Sequence, residues 1–307
     1  MKVCFMGTPD IAVPTLKALI DKHTVSCVVT QPDKPKGRGN KLTPPPVKVL
    51  AETEKIPVLQ PIKAKDPSFF DELKKFNFDV IVVIAYGQIL PKNILNMCKY
   101  GALNIHGSLL PKYRGAGPIQ WSIINGEKIT GVTIMQMNEN MDAGDILLSR
   151  EIPIREHTSE DMFKEMGLVG AEVLLEALYQ IDSISRTPQD ESQATYAPML
   201  TKEMGLIDWT KSNNEIINLI NGLNPWPVAY TSIYNKTIKI YKVAEVNDIF
   251  YKGQKPGTVL TSDPKNGITV KTGDGAISLG YIQAKGGKVM ESTEYVKGNL
   301  IQTGTVL

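Results

Sequence analysis

The sequence contains few cysteines and no long apolar run. Its 307 residues include three cysteines, Cys4, Cys27 and Cys98, and no two of them form a C-x-x-C pair. Three isolated cysteines exclude a disulfide scaffold and are typical of small core side chains in a reducing compartment. The purest apolar stretch, residues 80–85, is far shorter than the ~20 residues that a membrane-spanning helix needs. We therefore expect no membrane partner.

A targeting signal is also missing from the first residues. The opening apolar run is short, and Gly7, Thr8, Pro9 and Asp10 follow it at once. This leaves no room for the hydrophobic region of a signal peptide or for an arginine-rich transit peptide. The sequence therefore predicts a cytoplasmic protein.

Common cofactor and metal motifs are absent as well. The first predicted strand ends at Gly7, but the two further glycines of a dinucleotide-binding G-x-G-x-x-G motif do not follow. The triplet Gly37-Arg38-Gly39 neither follows a predicted strand nor opens a predicted helix. The sequence has no Walker A motif, no H-E-x-x-H motif and no zinc-ligand spacing. These absences disfavour NAD binding and a protein metal site.

Positive charge is unevenly distributed along the chain. There are 34 basic and 32 acidic residues, and this net charge of +2 excludes a bulk cationic coat for nucleic acid. Residues 31–50, which are rich in proline and glycine, have a net charge of +4, and residues 208–307 have a net charge of +3. The rest of the chain therefore has a net charge of −5. The basic residues of the first stretch are Lys34, Lys36, Arg38, Lys41 and Lys48. A local contact with nucleic acid therefore stays open.

The order of the apolar patterns predicts two domains of different type. In the first, β-rich runs alternate with helical patterns, which is typical of an α/β fold with a doubly wound, mostly parallel, Rossmann-like sheet. Polar residues 185–205 are expected to form a linker laid over the surface. Short strands separated by Asn- and Gly-rich turns follow and predict a small all-β barrel or sandwich. The expected domains are residues 1–184 and 206–307.

Asn104 and His106 close a predicted strand and lie two positions apart. Side chains at this spacing project from the same face, and parallel sheets hold ligands at the carboxyl ends of their strands. An amide beside an imidazole can bind and protonate a developing oxyanion. A lone histidine at a strand end is more often structural, but the Asn104 partner and the following Gly107-Ser108 favour a catalytic site.

A second polar segment, residues 138–145, follows the predicted strand at 132–137. A carboxylate there, such as that of Asp142, could reach His106 directly or through a water molecule. Two acidic residues in one turn are also common in ordinary loops. The distance along the sequence leaves both interpretations open.

Several short segments form a set together with these residues. They are Gly7-Thr8-Pro9-Asp10, Thr30-Gln31-Pro32-Asp33-Lys34-Pro35, Gly37-Arg38-Gly39, Ala85-Tyr86-Gly87 with Leu90-Pro91, Asn104-x-His106 with Ser108-Leu109-Leu110-Pro111, residues 131–137 and 141–145, and Asn224-Pro225-Trp226-Pro227. The set resembles the folate-dependent formyltransferases, and the resemblance extends into the predicted β domain. The basic loop at residues 34–48 and the C-terminal domain are similar to the tRNA-directed branch of that family.

The resemblance implies formyl transfer from 10-formyltetrahydrofolate to the free α-amino group of initiator methionyl-tRNA, through a tetrahedral intermediate and without a metal. It implies that Asn104 and His106 stabilise the oxyanion and that His106 and Asp142 manage the proton. The folate would contact Tyr86, Gly87, Ser108, Leu109, Leu110 and Pro111. The acceptor end of the tRNA would contact Lys34, Lys36, Arg38 and Lys41, and a C-terminal β-barrel similar to an OB fold would hold the tRNA body.

Two other functions remain open on the sequence alone. The chain could formylate a small amine, such as a purine precursor or an amino sugar, although such relatives generally lack the basic loop together with the terminal β domain. It could also be a non-catalytic RNA-binding protein with a degenerate enzyme domain, although Asn104, His106 and Asp142 are all intact. A monomer is expected, because nothing in the sequence demands more.

Overall fold

This computed structural model describes residues 1–36, 41–246 and 253–307, and of Lys36 only the backbone. The chain divides into two units. The first contains Met1–Pro118, Ile129–Pro153 and Phe163–Ala197, and the second contains Ile119–Lys128, Ile154–Met162 and Pro198–Leu307. Within the described ranges, no helix is long and apolar enough to cross a bilayer.

The first unit is built on a mixed sheet. Its strands in chain order are β1 (Lys2–Gly7), β2 (Thr24–Val29), β3 (Lys34–Lys36), β4 (Lys41–Thr43), β5 (Val58–Leu59), β6 (Val80–Ile84), β7 (Ala102–His106), β8 (Arg114–Gly115), β9 (Ile129–Gln136), β10 (Ile146–Pro153) and β11 (Tyr196–Ala197). Seven of them pair in the order β10-β9-β7-β6-β1-β2-β5. Strands β5, β2, β1, β6 and β7 are parallel, whereas β9 and β10 are antiparallel to their neighbours. The prediction of a mostly parallel, Rossmann-like sheet is confirmed.

Helices lie between these strands, and further helices belong to the second unit. In chain order they are α1 (Val13–Lys22), α2 (Pro46–Thr53), α3 (Pro67–Leu73), α4 (Lys92–Leu95), α5 (Pro118–Ile124), α6 (Ser159–Tyr179), α7 (Asn213–Gly222) and α8 (Ser292–Gly298). Helix α7 begins with a capping box in which the Ser212 hydroxyl accepts from the Glu215 N–H and the Glu215 carboxylate accepts from the Ser212 N–H.

The central strands are buried because of their composition. β6 reads Val-Ile-Val-Val-Ile, and all five side chains are buried, as expected for a β-branched strand in the middle of a parallel sheet. One face of the sheet packs Cys4, Met6 and Cys27 against Ile81 and Val83. Burial raises the pKa of the Cys4 thiol. Cys4 and Cys27 therefore serve as small apolar side chains of this core.

The segments that follow three neighbouring strands, β1, β6 and β7, leave the sheet at the same edge. β1 and β6 are neighbours, while the chain between them runs through β2 and β5 on the other side of β1. Ligands of open α/β sheets bind where the strand order reverses in this way. Because β1, β6 and β7 are parallel, the segments that begin at Thr8, Ala85 and Gly107 all leave the sheet at this edge. β9 runs the other way, and Gln136 at its end lies beside Leu103 at the start of β7.

The second unit contains an antiparallel sheet. Its strands are β12 (Ala229–Ile233), β13 (Lys236–Val246), β14 (Val259–Asp263), β15 (Gly267–Lys271), β16 (Ala276–Ala284) and β17 (Met290–Glu291). They pair in the order β12-β13-β16-β15-β14, with β17 on β16. Its core includes Trp209, Ile220, Ile240 and Val270. The predicted second, β-rich domain is confirmed, and the pairings among the described residues give an open sheet rather than a closed ring.

The proline-rich basic segment is more regular than its composition suggests. We expected an exposed, mobile loop over residues 34–48, but β3 and β4 form a hairpin there in which Lys36 lies opposite Lys41, and Lys48 belongs to α2. Proline at the start of α2 is compatible with a helix, because the first N–H groups have no partner within it. Arg38 lies outside the described residues.

Replacing Ile81 by alanine tests the core of the first unit. Ile81 is fully buried, so Ile81→Ala leaves a cavity and is expected to lower the free energy of unfolding by about 2–5 kcal/mol. The matched control is Ile62→Ala, because Ile62 is 80% exposed and surface changes of this kind stay within about 0.5 kcal/mol. Urea unfolding followed by circular dichroism measures both. Equal losses for the two variants would contradict this placement of the core.

Candidate active site

Asn104 and His106 project from the same face of β7. The strand is held on both sides, since Asn104 is paired with Val83 of β6 and with Met135 of β9. His106 is 5% exposed, while Asn104 is half-buried. The Asn104 side-chain amide makes no hydrogen bond to another residue that the structure describes, so its N–H groups are available to an incoming oxygen atom.

A backbone carbonyl fixes the protonation pattern of the His106 ring. His106 Nε2 lies 2.9 Å from the carbonyl oxygen of Tyr113. A carbonyl only accepts hydrogen bonds, so Nε2 carries the hydrogen. In the neutral ring, Nδ1 is then left with its lone pair. This nitrogen lies 3.7 Å from Asp142 Oδ2, and it is the basic atom of the site.

Asp142 is held in place by a backbone donor. Its Oδ2 accepts a hydrogen bond from the Gly115 N–H at 2.8 Å, and its side chain is 16% exposed. Its backbone has φ +51°, a left-handed conformation that aspartate tolerates better than most residues. At 3.7 Å the carboxylate is beyond hydrogen-bond range of Nδ1 but close enough to stabilise an imidazolium. The structure thus brings Asn104, His106 and Asp142 together.

Such a constellation can perform acyl transfer to an amine. The Asn104 amide can donate to an oxygen on which negative charge develops. Nδ1 of His106 can take a proton from an attacking amine, and Asp142 can stabilise the resulting positive charge. This chemistry needs no covalent nucleophile.

Tyr86, one of the expected folate residues, is buried. Its side chain is 2% exposed and belongs to the core, its hydroxyl has no hydrogen-bond partner among the described residues, and burial raises its pKa to about 12. The Tyr86 carbonyl accepts hydrogen bonds from Thr8 Oγ1 at 3.0 Å and from Gln31 Nε2 at 3.3 Å. Gly87 follows with φ +85°, which glycine adopts readily.

The other expected folate segment is residues 108–111, and many of its polar groups already form hydrogen bonds within the protein. Thr133 Oγ1 donates to the Ser108 carbonyl and accepts from the Leu110 N–H. The Ser108 hydroxyl donates to the Lys112 carbonyl at 2.6 Å, and the Leu109 and Pro111 carbonyls accept backbone hydrogen bonds. These bonds fix the shape of residues 108–111. The Leu110 N–H is thereby engaged, whereas the Leu110 carbonyl accepts no hydrogen bond from the residues that the structure describes.

A cleft of about 730 Å³ lies beside Thr8 and Gln31, the two residues that bind the Tyr86 carbonyl. Its lining consists of Thr8, Pro9, Asp10, Val13, Gln31, Pro32, Lys34, Pro35, Thr43, Pro44, Pro45, Pro46, Val49, Leu50 and Thr53. The catalytic candidates are not among these residues.

The basic residues of the hairpin differ in their availability. Lys34 and Lys41 are exposed. Lys48 is not available, because its Nζ donates to both carboxylate oxygens of Asp33, at 2.9 and 3.0 Å, and to Gln60 Oε1 at 2.8 Å. Hydrogen bonds from Gln60 and Lys48 hold the pKa of Asp33 below its usual value. This network fixes both ends of the hairpin segment.

Residues from the expected linker also touch the site, and sequence analysis did not find them. Gln189 Nε2 donates to the carbonyl oxygens of Asp142 and Gly144, at 2.8 and 2.7 Å. Arg114 donates to both Gln189 and Glu191. No spacing signal marks Gln189 or Glu191 in a polar stretch.

The chain matches two protein-family models that together cover most of its length. Residues 1–178 match the family model described as Formyl transferase, and residues 199–300 match the one described as Formyl transferase, C-terminal domain. The chain belongs to the formyl transferase family. Asn104, His106 and Asp142 all lie within the first match. Among the described residues, no group of three or more His, Cys, Asp or Glu side chains could hold a metal ion.

Two members of the formyl transferase family are similar over their whole length. The methionyl-tRNA formyltransferase of Clostridioides difficile is 48% identical over 311 residues, covering 100% of both chains. The methionyl-tRNA formyltransferase of Geobacter metallireducens is 45% identical over 308 residues, which are 99% of this chain and 97% of that one.

Solved structures share the formyl transferase fold. WlaRD, a sugar 3N-formyl transferase crystallised with dTDP and 5-N-formyl-THF, superposes with a TM-score of 0.68 at 21% identity, covering 92% of this chain and 97% of that one. HypX from Aquifex aeolicus, in complex with tetrahydrofolic acid, gives 0.67 at 21% identity and covers 96% of this chain. The chain spans about half the length of HypX, 47% of it. At these identities the similarity shows the fold alone.

Proposed function

We propose that this chain transfers the formyl group of 10-formyltetrahydrofolate to the free α-amino group of initiator methionyl-tRNA. The observation that carries the proposal is the 48% identity, over the whole length of both chains, to a methionyl-tRNA formyltransferase. The site geometry agrees with it, because an amide donor, a base and a carboxylate converge at β7. In this reaction a bond forms between the amine and the formyl carbon, and the bond from that carbon to the folate nitrogen breaks.

Asn104 is proposed to bind the formyl oxygen. When bound, 10-formyltetrahydrofolate supplies an activated formyl carbon, and attack on it places negative charge on the formyl oxygen. The Asn104 amide donates to that oxygen, and this donor is available because no described residue occupies it. A preoriented donor of this kind is worth about 10²–10³ in rate in comparable sites.

His106 and Asp142 are proposed to move the proton. His106 Nδ1 accepts it from the attacking amine, while Nε2–H remains bonded to the Tyr113 carbonyl. The imidazolium then lies 3.7 Å from the Asp142 carboxylate, which stabilises it. Its new Nδ1–H can support the oxyanion beside Asn104 and afterwards deliver the proton to the folate nitrogen. The rate of formyl transfer thus depends on the positioning of the reactants and on electrostatic stabilisation of the charges that develop.

The folate is proposed to lie along Tyr86-Gly87 and residues 108–111. Their remaining polar groups fit such a ligand: the Leu110 carbonyl is available, and Gly87 has no side chain to block a close approach. Tyr86 and Ser108 act through shape rather than through their hydroxyls, since the first is buried and the second donates to Lys112.

The tRNA is proposed to contact Lys34, Lys36, Arg38 and Lys41. The geometry of the β3–β4 hairpin supports part of this proposal. Lys36 and Lys41 lie opposite each other, and the side chains of Lys34 and Lys41 are exposed. Phosphate contacts by lysine and arginine give affinity that falls with salt. Lys48 is left out, because Asp33 already balances its charge.

The second unit is proposed to contact the body of the tRNA. Trp226 is 53% exposed there, and Lys239 Nζ lies 3.5 Å from the carbonyl of the neighbouring Pro227. An exposed aromatic ring beside a lysine suits a nucleic-acid backbone with an unstacked base. We further propose a cytoplasmic monomer with a catalytic domain at residues 1–184, a linker at 185–205 and a tRNA-binding domain at 206–307.

A formylation assay with two catalytic variants tests the function. The purified protein is incubated with 10-formyltetrahydrofolate and either methionyl initiator tRNA or a small amine. We expect formylation of the tRNA, and a fall in kcat of at least about 100-fold for His106→Gln and for Asp142→Asn. Folate binding, measured by calorimetry, is expected to change little, because neither side chain belongs to the proposed folate-lining segments.

Other outcomes of this assay support the alternatives. Activity with the small amine alone would favour a small-amine formyltransferase. Binding of tRNA without any formyl transfer would favour an RNA-binding protein. Loss of folate binding in His106→Gln would show that the ring serves the pocket rather than the proton transfer.

Salt dependence tests the contact with tRNA. Replacing Lys34 and Lys41 together by alanine is expected to raise the KM for tRNA and to reduce the slope of log affinity against log salt by roughly one per lost phosphate contact. The matched control replaces Lys2 and Lys22, which are also exposed but lie at the start of β1 and the end of α1. A slope that is unchanged in the first variant, or equally reduced in both, would contradict the contact.

A further inference from the structure

Residues 187–197, which we name the strap, lie between the two regions that match the formyl transferase models. The strap belongs to the first unit and is bound to it along its length. At its start Thr187 exchanges two backbone hydrogen bonds with Ile146, and at its end β11 pairs with β8. A segment expected to connect two domains is therefore docked on the loop that carries Asp142 and on the β8 segment.

Gln189 of the strap binds the Asp142 loop with its whole amide. Nε2 donates to the carbonyl oxygens of Asp142 and Gly144, at 2.8 and 2.7 Å. These two hydrogen bonds hold the backbone on both sides of Ala143. Oε1 accepts from Arg114 Nε at 3.0 Å and Nη2 at 2.8 Å. Both N–H hydrogens and both oxygen lone pairs are used, which leaves one orientation of the amide.

Arg114 holds Gln189 in this orientation. Its side chain is 2% exposed, and it forms a two-pronged pair with the Glu191 carboxylate, Nη1 to Oε2 at 2.8 Å and Nη2 to Oε1 at 2.7 Å. A planar guanidinium in such a pair is geometrically fixed. Arg114 lies next to Gly115, whose N–H binds the Asp142 carboxylate. The strap and the catalytic loop are thus joined on both sides of Asp142.

A second link runs from the strap to His106. Thr195 Oγ1 accepts from the Tyr113 N–H at 2.9 Å, and the Thr195 carbonyl accepts from the Arg114 N–H at 2.8 Å. Tyr113 in turn provides the carbonyl that binds His106 Nε2. Gly115, with φ +116°, passes so close to the strap that a Cβ atom there would lie 2.7 Å from the Ala197 carbonyl oxygen. The backbone partners of both catalytic groups are therefore fixed by the strap.

Asp142 needs such support. β9 ends beside the start of β7, so residues 137–145 leave the sheet away from His106, and Asp142 itself is in a left-handed conformation. Conformations of this kind persist at functional sites when surrounding contacts over-determine them. Gln189 supplies these contacts directly at the turn.

We propose that Gln189, fixed by Arg114 and Glu191, is a positioning residue that sets the Asp142 carboxylate against His106. The strap is thereby part of the active site and more than a connection between domains. The inference rests on the proposed function for its kinetic test and on the geometry alone for its structural test.

Gln189→Leu, which keeps the shape and removes the polar contacts, provides the kinetic test. We expect kcat for formyl transfer to fall by about 10- to 100-fold, while the KM for 10-formyltetrahydrofolate stays within about twofold, because binding groups are untouched. In an Asp142→Asn background the same change is expected to cost less than about twofold, since both act through one carboxylate. An equal cost in both backgrounds, or no loss of kcat, would overturn the proposal.

Two further variants separate positioning from folding. Gln189→Glu keeps an acceptor for Arg114 but loses the donors to the Asp142 loop, and it is expected to lower kcat as Gln189→Leu does with an unchanged Tm. Arg150→Met is the matched control, because it breaks exposed ion pairs with Glu172 and Glu176 in the same unit. Its kcat should equal that of the wild type. Full activity of Gln189→Glu would contradict the proposal.

A crystal structure of Gln189→Leu gives a readout that does not depend on the reaction. Asp142 Oδ2 is expected to move away from its distance of 3.7 Å to His106 Nδ1. An unmoved carboxylate would refute the positioning role, even if the protein formylates methionyl-tRNA. A moved carboxylate in a protein whose wild type does not formylate methionyl-tRNA would support the positioning role and refute the proposed function.

Discussion

The hydrogen bond from His106 Nε2–H to the Tyr113 carbonyl is the interaction on which the rest of the site depends. It places the hydrogen of the neutral ring on Nε2 and leaves the lone pair on Nδ1, toward Asp142. In many catalytic pairs the carboxylate accepts a hydrogen bond from the histidine. Here a backbone carbonyl has that role, and in the proposed mechanism Asp142 stabilises the ring once it is charged.

This arrangement makes the site dependent on its loops rather than on the sheet alone. β7 fixes Asn104 and His106, because it is paired on both sides. The other partners, Tyr113, Gly115 and Asp142, lie outside the seven-stranded sheet, and hydrogen bonds from the 187–197 segment help to hold them in place. The cost of a loosened loop is steep, because a displacement of about 1 Å can reduce the rate by about 100-fold.

The sequence predicted what depends on local pattern. Continuous β-branched runs such as residues 80–84 identified the central strands, and the Asn104-x-His106 spacing placed two side chains on one face of a strand. The resemblance named Asp142 as their partner, although distance along the chain left this open. Long-range pairings could not be predicted, because they join polar segments without periodicity. Examples are the pairing of Lys36 with Lys41 in the hairpin, the ion pair that makes Lys48 unavailable by joining it to Asp33, and the contact of Gln189 with Arg114. Tyr86 also shows this limit, because its burial depends on the packing of the whole core.

Nuclear magnetic resonance of the histidine rings measures the central interaction most directly. Nitrogen-15 spectra correlate each ring nitrogen with the ring hydrogens at a pH where His106 is neutral, and the His106→Gln variant identifies its signals among those of the three histidines. The structure predicts that His106 carries its hydrogen on Nε2 and that Nδ1 is unprotonated. A hydrogen on Nδ1, donated to Asp142, would contradict the assignment of Nδ1 as the base and the account built on it.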